Sequence, residues 1–366
     1  MKKFVTLVFS AILLFSLAAC GSSEKPKLKE DHSLYLITDQ GTINDKSFNQ
    51  GSYEGMEQYA HEVGITPNYL RPTGETTVEY IDSIEKAIAA GAKVIVTPGF
   101  LFEEAVFISQ DAHPDVKFIL VDGVPNNAKF DATHEEKVGD NTVSILYREE
   151  QSGFLAGYAA VKSGFTELGF MGGIAVPPVI NFGYGYLAGA NLAAEEEGVK
   201  VNVKYTYLGQ FNPSPEFQNQ AVSWFNDGVE VIFASAGGAG NSVMAAAEEV
   251  DGKVIGVDVD QSAESDTVIT SATKNLKGSV YEVVKSAMTE GFKGGEILTF
   301  GVGEDGVTLP DNFDGLEGFG QAEYDALYAR LKADEDGIQS NIPVLSTHGD
   351  KVSALSFDNV TIESIE

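Results

Sequence analysis

Cysteine is almost absent from this chain of 366 residues, where Cys20 is the only one. Without cysteine pairs the fold rests on hydrophobic burial. Basic residues are also scarce, with 24 Lys and Arg against 54 Asp and Glu and a net charge of −30. A groove that follows phosphates needs a basic stripe. The one basic cluster, Lys25, Lys27 and Lys29, lies close to the amino terminus. Nucleic acid and anionic lipid are therefore excluded as partners of the main body, and the acidity reads as a soluble exposed surface rather than a cation site. The histidines, His32, His61, His113, His134 and His348, are scattered, with no HExxH and no nucleophile motif. Catalysis has no support, and no cofactor and no metal are expected. Past the first twenty residues no apolar run approaches the ~20 residues of a bilayer span.

The amino terminus has the layout of a secretory signal: a positive start (Met1, Lys2, Lys3), an apolar stretch over residues 4–15, and the small residues Ala18 and Ala19. The sequence Leu17-Ala18-Ala19-Cys20-Gly21 resembles the bacterial lipobox, where the cysteine sulfur receives a diacylglyceryl group and becomes the mature amino terminus. That resemblance implies removal of residues 1–19, which takes away Lys2 and Lys3 and moves the charge from −30 to −32. It also implies retention on the extracytoplasmic face of the cell membrane by lipid, with ~0.8 kcal/mol from each buried methylene. Residues 20–31, polar and containing Pro26, have the composition of a flexible tether.

The remaining length exceeds what one core organises, so two lobes are expected. Apolar runs at 34–37, 67–70, 93–97 and 116–121 alternate with helical patterns at 48–63, 78–90 and 103–111. They are unalternated, as parallel strands covered on both faces are. A second series follows, with strands at 168–172, 199–208, 229–234 and 253–257 and helices at 182–197, 216–225 and 241–250. Two βα series imply an α/β fold of two doubly wound parallel-sheet lobes, with ligand space at the carboxyl ends of the strands. We read residues 138–142 and the helix at 154–161 as the crossing into the second lobe, and the strand at 268–271 with the helix at 276–289 as the return. A strand-like stretch at 297–302, glycines at 301–306 and a helix at 322–331 signal a third crossing. The first lobe then comprises 32–145 with about 275–300, and the second 146–274 with about 301–345, leaving 346–366 as an unassigned extension. A cleft between lobes joined by several strands can close on a solute.

The most specific segment is the loop after the first strand, Asp39-Gln-Gly-Thr-Ile-Asn-Asp-Lys-Ser-Phe-Asn49. Gly41 allows a close turn, Asp39 and Asn44 offer polar groups, and Asp45 or Ser47 can cap the following helix. Phe48 stands in the first turn of that helix, as a cleft ring or as core. Other signals carry nothing: the glycines at 237, 238 and 240 match neither GxxxxGK[ST] nor GxGxxG. Gly172 and Gly173 read as a turn, and the acidic run at 195–197 as a solvated helix end. Asp258 and Asp260 make no metal pair, since no third hard ligand is indicated.

Taken with Phe118-Ile-Leu-Val-Asp122-Gly-Val, Tyr147-Arg-Glu-Glu-Gln-Ser-Gly-Phe-Leu-Ala-Gly157, Gly209-Gln-Phe211-Asn-Pro and Ile255-Gly-Val-Asp258-Val-Asp-Gln261, that loop resembles the basic membrane protein (Bmp/Med) family over residues 33–345. These are nucleoside-binding lipoproteins of ABC importers, so the resemblance implies a type I periplasmic-binding-protein fold, no enzymatic activity, and a nucleoside ligand, with purine nucleosides expected. It also implies an ABC permease and ATPase as partners, and a monomer is expected. Carried to this chain, it makes Phe48 the stacking ring of the first lobe, with Phe211 facing it and Phe182 as the competing choice. Asp39 and Asp122 would read the base edge, Asp258 would accept from the ribose hydroxyls, and Lys274 would donate to the ribose oxygens. Gly237 would admit backbone close to the sugar. Two rivals stand beside this reading. A receptor of the same fold could bind a sugar or signalling molecule as a sensor or adhesin, and an extracellular nucleoside hydrolase would need an acidic metal cluster that the sequence does not contain.

Overall fold

The computed structural model describes residues 28–129, 131–345 and 351–365. The expected signal segment, Cys20 and residues 21–27 of the tether lie outside the described residues. From Lys29 the chain is already joined to the body, since its N–H donates to the Gly64 carbonyl and its carbonyl accepts from Thr66, two residues before the expected end of the tether.

The first series runs β1 (Leu34–Ile37), α1 (Phe48–Val63), β2 (Asn68–Leu70), α2 (Thr77–Ala90), β3 (Val94–Pro98), α3 (Glu103–Ala112), β4 (Lys117–Val121) and β5 (Thr142–Tyr147). The second runs α4 (Glu149–Lys162), β6 (Glu167–Gly172), α5 (Pro177–Glu197), β7 (Val201–Tyr207), α6 (Pro215–Asn226), β8 (Val231–Phe233), α7 (Gly240–Val250), β9 (Lys253–Asp258) and β10 (Val268–Lys274). Then come α8 (Leu276–Met288), β11 (Glu296–Phe300), β12 (Val307–Thr308), α9 (Gln321–Lys332) and β13 (Val360–Ser364).

Two sheets result, ordered β11-β5-β4-β3-β1-β2 and β12-β10-β9-β8-β6-β7-β13. Their inner strands follow one plan, since β2-β1-β3-β4-β5 and β7-β6-β8-β9-β10 have the same order and are parallel throughout. Each lobe thus has a topological switch point, between β1 and β3 and between β6 and β8, where crevices open at the carboxyl ends of strands. The chain passes between the sheets three times: from β5 into α4, from β10 into α8, and from β11 into β12, which pairs antiparallel with β10. The residues after 346, unassigned from sequence, supply β13, which extends the second sheet as a parallel neighbour of β7.

Local sequence sets the element ends nearest the cleft. Asp45 caps α1: its carboxylate accepts from the N–H groups of Ser47, Asn49 and Gln50. The helix stops at Gly64, whose φ of 77° is left-handed. Helix α5 starts at Pro177, five residues before the start read from sequence, because Pro177 and Pro178 occupy first-turn positions where no N–H is needed. Phe182 therefore sits past the first turn. Helices α4 and α5 touch backbone to backbone. A Cβ added at Gly153 or Gly157 would lie 2.1 or 2.0 Å from the carbonyl oxygens of Phe182 and Tyr186, and one at Gly185 or Gly189 would lie 1.9 or 2.0 Å from those of Glu150 and Phe154.

Candidate ligand-binding cleft

Between the two switch points lies a cavity of about 620 Å³, counting the space at its mouth. That is within the ~300–1,000 Å³ of small-molecule sites. Asp39, Phe48, Asp122, Phe182, Phe211, Gly237, Asp258 and Lys274 all line it. Asn44 does not: it is exposed, and its N–H donates to Thr42 Oγ1 at 3.2 Å, which keeps it in the outer turn of the loop. Asn49, in the first turn of α1, takes the inner position instead and lines the cavity.

One end of the cavity is an Asp–Asn–Asp cluster on the first lobe. Asn49 Nδ2 donates to Asp39 Oδ1 and to Asp45 Oδ2, both at 2.8 Å, and Gly41 N–H donates to Asp39 Oδ1 at 2.9 Å. Gly41 is glycine for closeness, since a Cβ there would fall 2.4 Å from Asn49 Nδ2. Burial pushes the Asp39 carboxyl up to about 6, against the hydrogen bonds from Gly41 and Asn49. Burial likewise raises Asp45.

Rings form the walls. Phe211 follows β7 and is half-buried, packed over two glycines of the second lobe. A Cβ at Gly173 would lie 2.3 Å from its ring, whereas one at Gly237 would make ordinary contact at 3.5 Å. Gly237 is instead required by its φ of 53°. Gly173, read from sequence as a turn residue, is what lets Phe211 lie where it does. Phe182 is fully buried and meets Phe233 edge-on at 5.9 Å.

The other end is built around Lys274, at the end of β10. Its Nζ donates to Asp122 Oδ2 from the first lobe, and Glu149 Oε1 and Asp258 Oδ1 each lie 3.5 Å away. The rings of Phe182, Phe48 and Tyr147 surround the same nitrogen at 5.0, 5.1 and 5.5 Å from their centres, within the range of cation–π attraction. Burial opposes the charge of Lys274, yet the three carboxylates hold its pKa above the ordinary lysine value. Burial raises Asp122, with Lys274 opposing. Glu149, the first residue of α4, was not singled out in the sequence, where that helix is read over 154–161.

The lobes are drawn together by contacts across this cleft. Ser47 Oγ, which does not cap α1, donates to Asp258 Oδ2 at 2.6 Å. Near the rim, Gln40 Oε1 accepts from the Phe211 N–H at 3.3 Å, and Gln261 Nε2 donates to the Lys46 carbonyl at 2.7 Å. Lys46 also pairs with Glu264 at 3.3 Å. Among the described residues no cluster of three or more His, Cys, Asp or Glu has metal-holding geometry.

Comparison with known proteins agrees with this architecture. Residues 33–330 match the family model described as ABC transporter substrate-binding protein PnrA-like. Basic membrane protein D of Borreliella burgdorferi (strain JD1) is 31% identical over 82% of this chain and 85% of its own length. The ABC transporter nucleoside-binding protein BmpA of Lactococcus lactis is 28% identical over 94% of this chain and all of its own. Among solved structures, a solute-binding protein of an Aeropyrum pernix K1 ABC transporter system superposes with a TM-score of 0.71 at 26% identity, covering 87% of this chain and 94% of that one.

Proposed function

The chain belongs to the PnrA-like family of ABC transporter substrate-binding proteins, a binding protein and not an enzyme, and on that premise we propose that it captures nucleosides, purine nucleosides foremost. In this reading Cys20 carries the lipid that holds it at the extracytoplasmic face of the membrane, beside an ABC permease and ATPase that accept its cargo. Membership of a family of ABC transporter substrate-binding proteins supports an extracytoplasmic location, and among the described residues no helix is long and apolar enough to cross a membrane.

The observation that carries the reading is one cavity with ring walls and two polar ends of different chemistry. A nucleoside is a flat base with polar edges joined to a ribose with vicinal hydroxyls. Phe48 and Phe211 are our choice for the two faces of the base, because Phe182 is fully buried and engaged edge-on with Phe233. Stacking contributes ~1–3 kcal/mol per base. Asp39, held by Asn49, faces the base edge in this arrangement. Asp122 stands with Lys274 and Asp258 rather than with Asp39, so we assign all three to the ribose hydroxyls, where charge-assisted hydrogen bonds form in a water-poor site. Gly237 gives backbone access to the sugar. The Lactococcus lactis relative, named for nucleoside binding, supports the same ligand class.

Calorimetric titration of the full chain in mild detergent with inosine, adenosine, guanosine, cytidine, uridine, ribose and arabinose tests this. Saturable binding of the purine nucleosides is expected. Binding of a free sugar with no response to any nucleoside would replace this reading with the sugar-receptor one.

A further inference from the structure

We propose that Glu149 is a positioning residue of the cleft that shares a proton with Asp122 beside Lys274 when the lobes close, so that capture of a solute takes up a proton. The inference rests on the solute-receptor reading above and adds a linked ion to it.

The geometry comes first. Glu149 is 3% exposed and stands where the chain leaves β5 of the first lobe to begin α4 of the second. Lys274 Nζ has three donors, and three carboxylates converge on it. Three ionised carboxylates around one ammonium would leave two uncompensated negative charges in a buried site, a costly arrangement that protonation relieves. Glu149 and Asp122 both face Lys274 Nζ, which brings their carboxyls together around the same nitrogen. With both ionised, the buried Asp122 Oδ1 has no donor among the described residues.

Every charged or titratable neighbour of Glu149 can be assigned to a lobe. Lys274 and Asp258 end strands of the second sheet, Asp122 and Tyr147 end strands of the first, and Arg148 and Glu150 flank Glu149 in sequence, paired with each other at 3.9 Å. Burial, with Lys274 opposing and Asp122 and Glu150 adding to it, pushes the Glu149 carboxyl up to about 8. Opening the cleft withdraws Asp122 with the first lobe and admits water, while Lys274 stays with Glu149 on the second. Both changes lower the Glu149 pKa. The proton is therefore bound on closing and released on opening.

The sign of the linkage follows. A carboxyl with a higher pKa in the closed state favours closing at low pH, and the advantage is lost as pH rises to about 8 and is gone above it. Affinity for a solute that closes the lobes falls by up to ~tenfold per pH unit inside that window. Asp39, at about 6, titrates below the pH chosen for the test.

The full chain in mild detergent is titrated with inosine at pH 7.5 in phosphate and in Tris, buffers of very different ionisation enthalpy. The wild type is expected to give different binding enthalpies in the two, corresponding to net proton uptake, and an affinity that falls severalfold between pH 6.5 and 8.5. Glu149→Gln keeps the length of the side chain but does not titrate, so the buffer difference collapses and the pH profile flattens. Tight inosine binding by the wild type with equal enthalpies in both buffers overturns this proposal alone, and so does wild-type proton uptake in Glu149→Gln. Failure to bind any nucleoside overturns the nucleoside reading and this one together.

Discussion

The backbone at Asp122 and Asp258 is left-handed, with φ of 59° and 69°. Asp122 follows β4 and Asp258 ends β9, the fourth strand of each lobe, so two of the three carboxylates that meet Lys274 come from equivalent places in two copies of one plan. Aspartate tolerates this conformation better than most side chains, and a residue held there at a strand end is a common mark of function. Both were legible from sequence, in the runs Phe-Ile-Leu-Val-Asp122 and Ile-Gly-Val-Asp258 that end in a carboxylate. The supporting residues were not. Asn49, Gly173 and Glu149 act by what lies across from them in space, and nothing in their neighbours along the chain separates them from an ordinary helix residue, a turn glycine and a solvated acid. Gly173→Ala puts a methyl into the Phe211 ring at a φ that alanine accepts. We expect it to weaken nucleoside binding about as much as Phe211→Ala, ~10–100-fold, with little change in melting temperature, as read by calorimetry and thermal unfolding of both variants.

Helices α4 and α5 set the depth of the cleft, because Glu149 opens one and Phe182 lies in the other. Their close approach depends on one pair of glycines, spaced four residues apart, on each helix. The helices were expected from their apolar content, but each begins five residues before its sequence-read start. For α5 Pro177 and Pro178, outside the sequence-read helix, form its first turn, and for α4 the start Glu149-Glu150 is polar yet buried. Strand β5 was read as part of a join, since glycine, aspartate and asparagine precede it, and β13 was missed because only its first residue is buried. The recognised strands include the central ones with continuous apolar runs, and also the edge strands β2 and β11. Gly157→Ala forces a Cβ to within 2.0 Å of the Tyr186 carbonyl oxygen unless the helices part. A loss of ~1–3 kcal/mol is expected, measured by denaturant unfolding, whereas Gly303→Ala, with open space around it, should stay within about 0.5 kcal/mol of the parent.

At the scale of the whole molecule, a chain with a net charge of −30 has no electrostatic reason to remain near anionic lipid, so in the proposed reading residence at the membrane falls to Cys20. Metabolic labelling with a fatty acid is expected to mark the wild type and to vanish in Cys20→Ser, with the protein recovered in the medium. Label persisting in Cys20→Ser would remove the anchor from this position. The three passages between sheets have a consequence beyond hinging. Neither lobe is a continuous stretch of chain: the first sheet waits for β11 at Glu296–Phe300, and the second for β12 and β13 near the carboxyl end. A chain emerging amino terminus first cannot finish either half until nearly all of it has been made, and closing such distant pairs is slow compared with local ones. Under the export proposed above, that delay would keep the polypeptide unfolded and threadable until it has crossed the membrane.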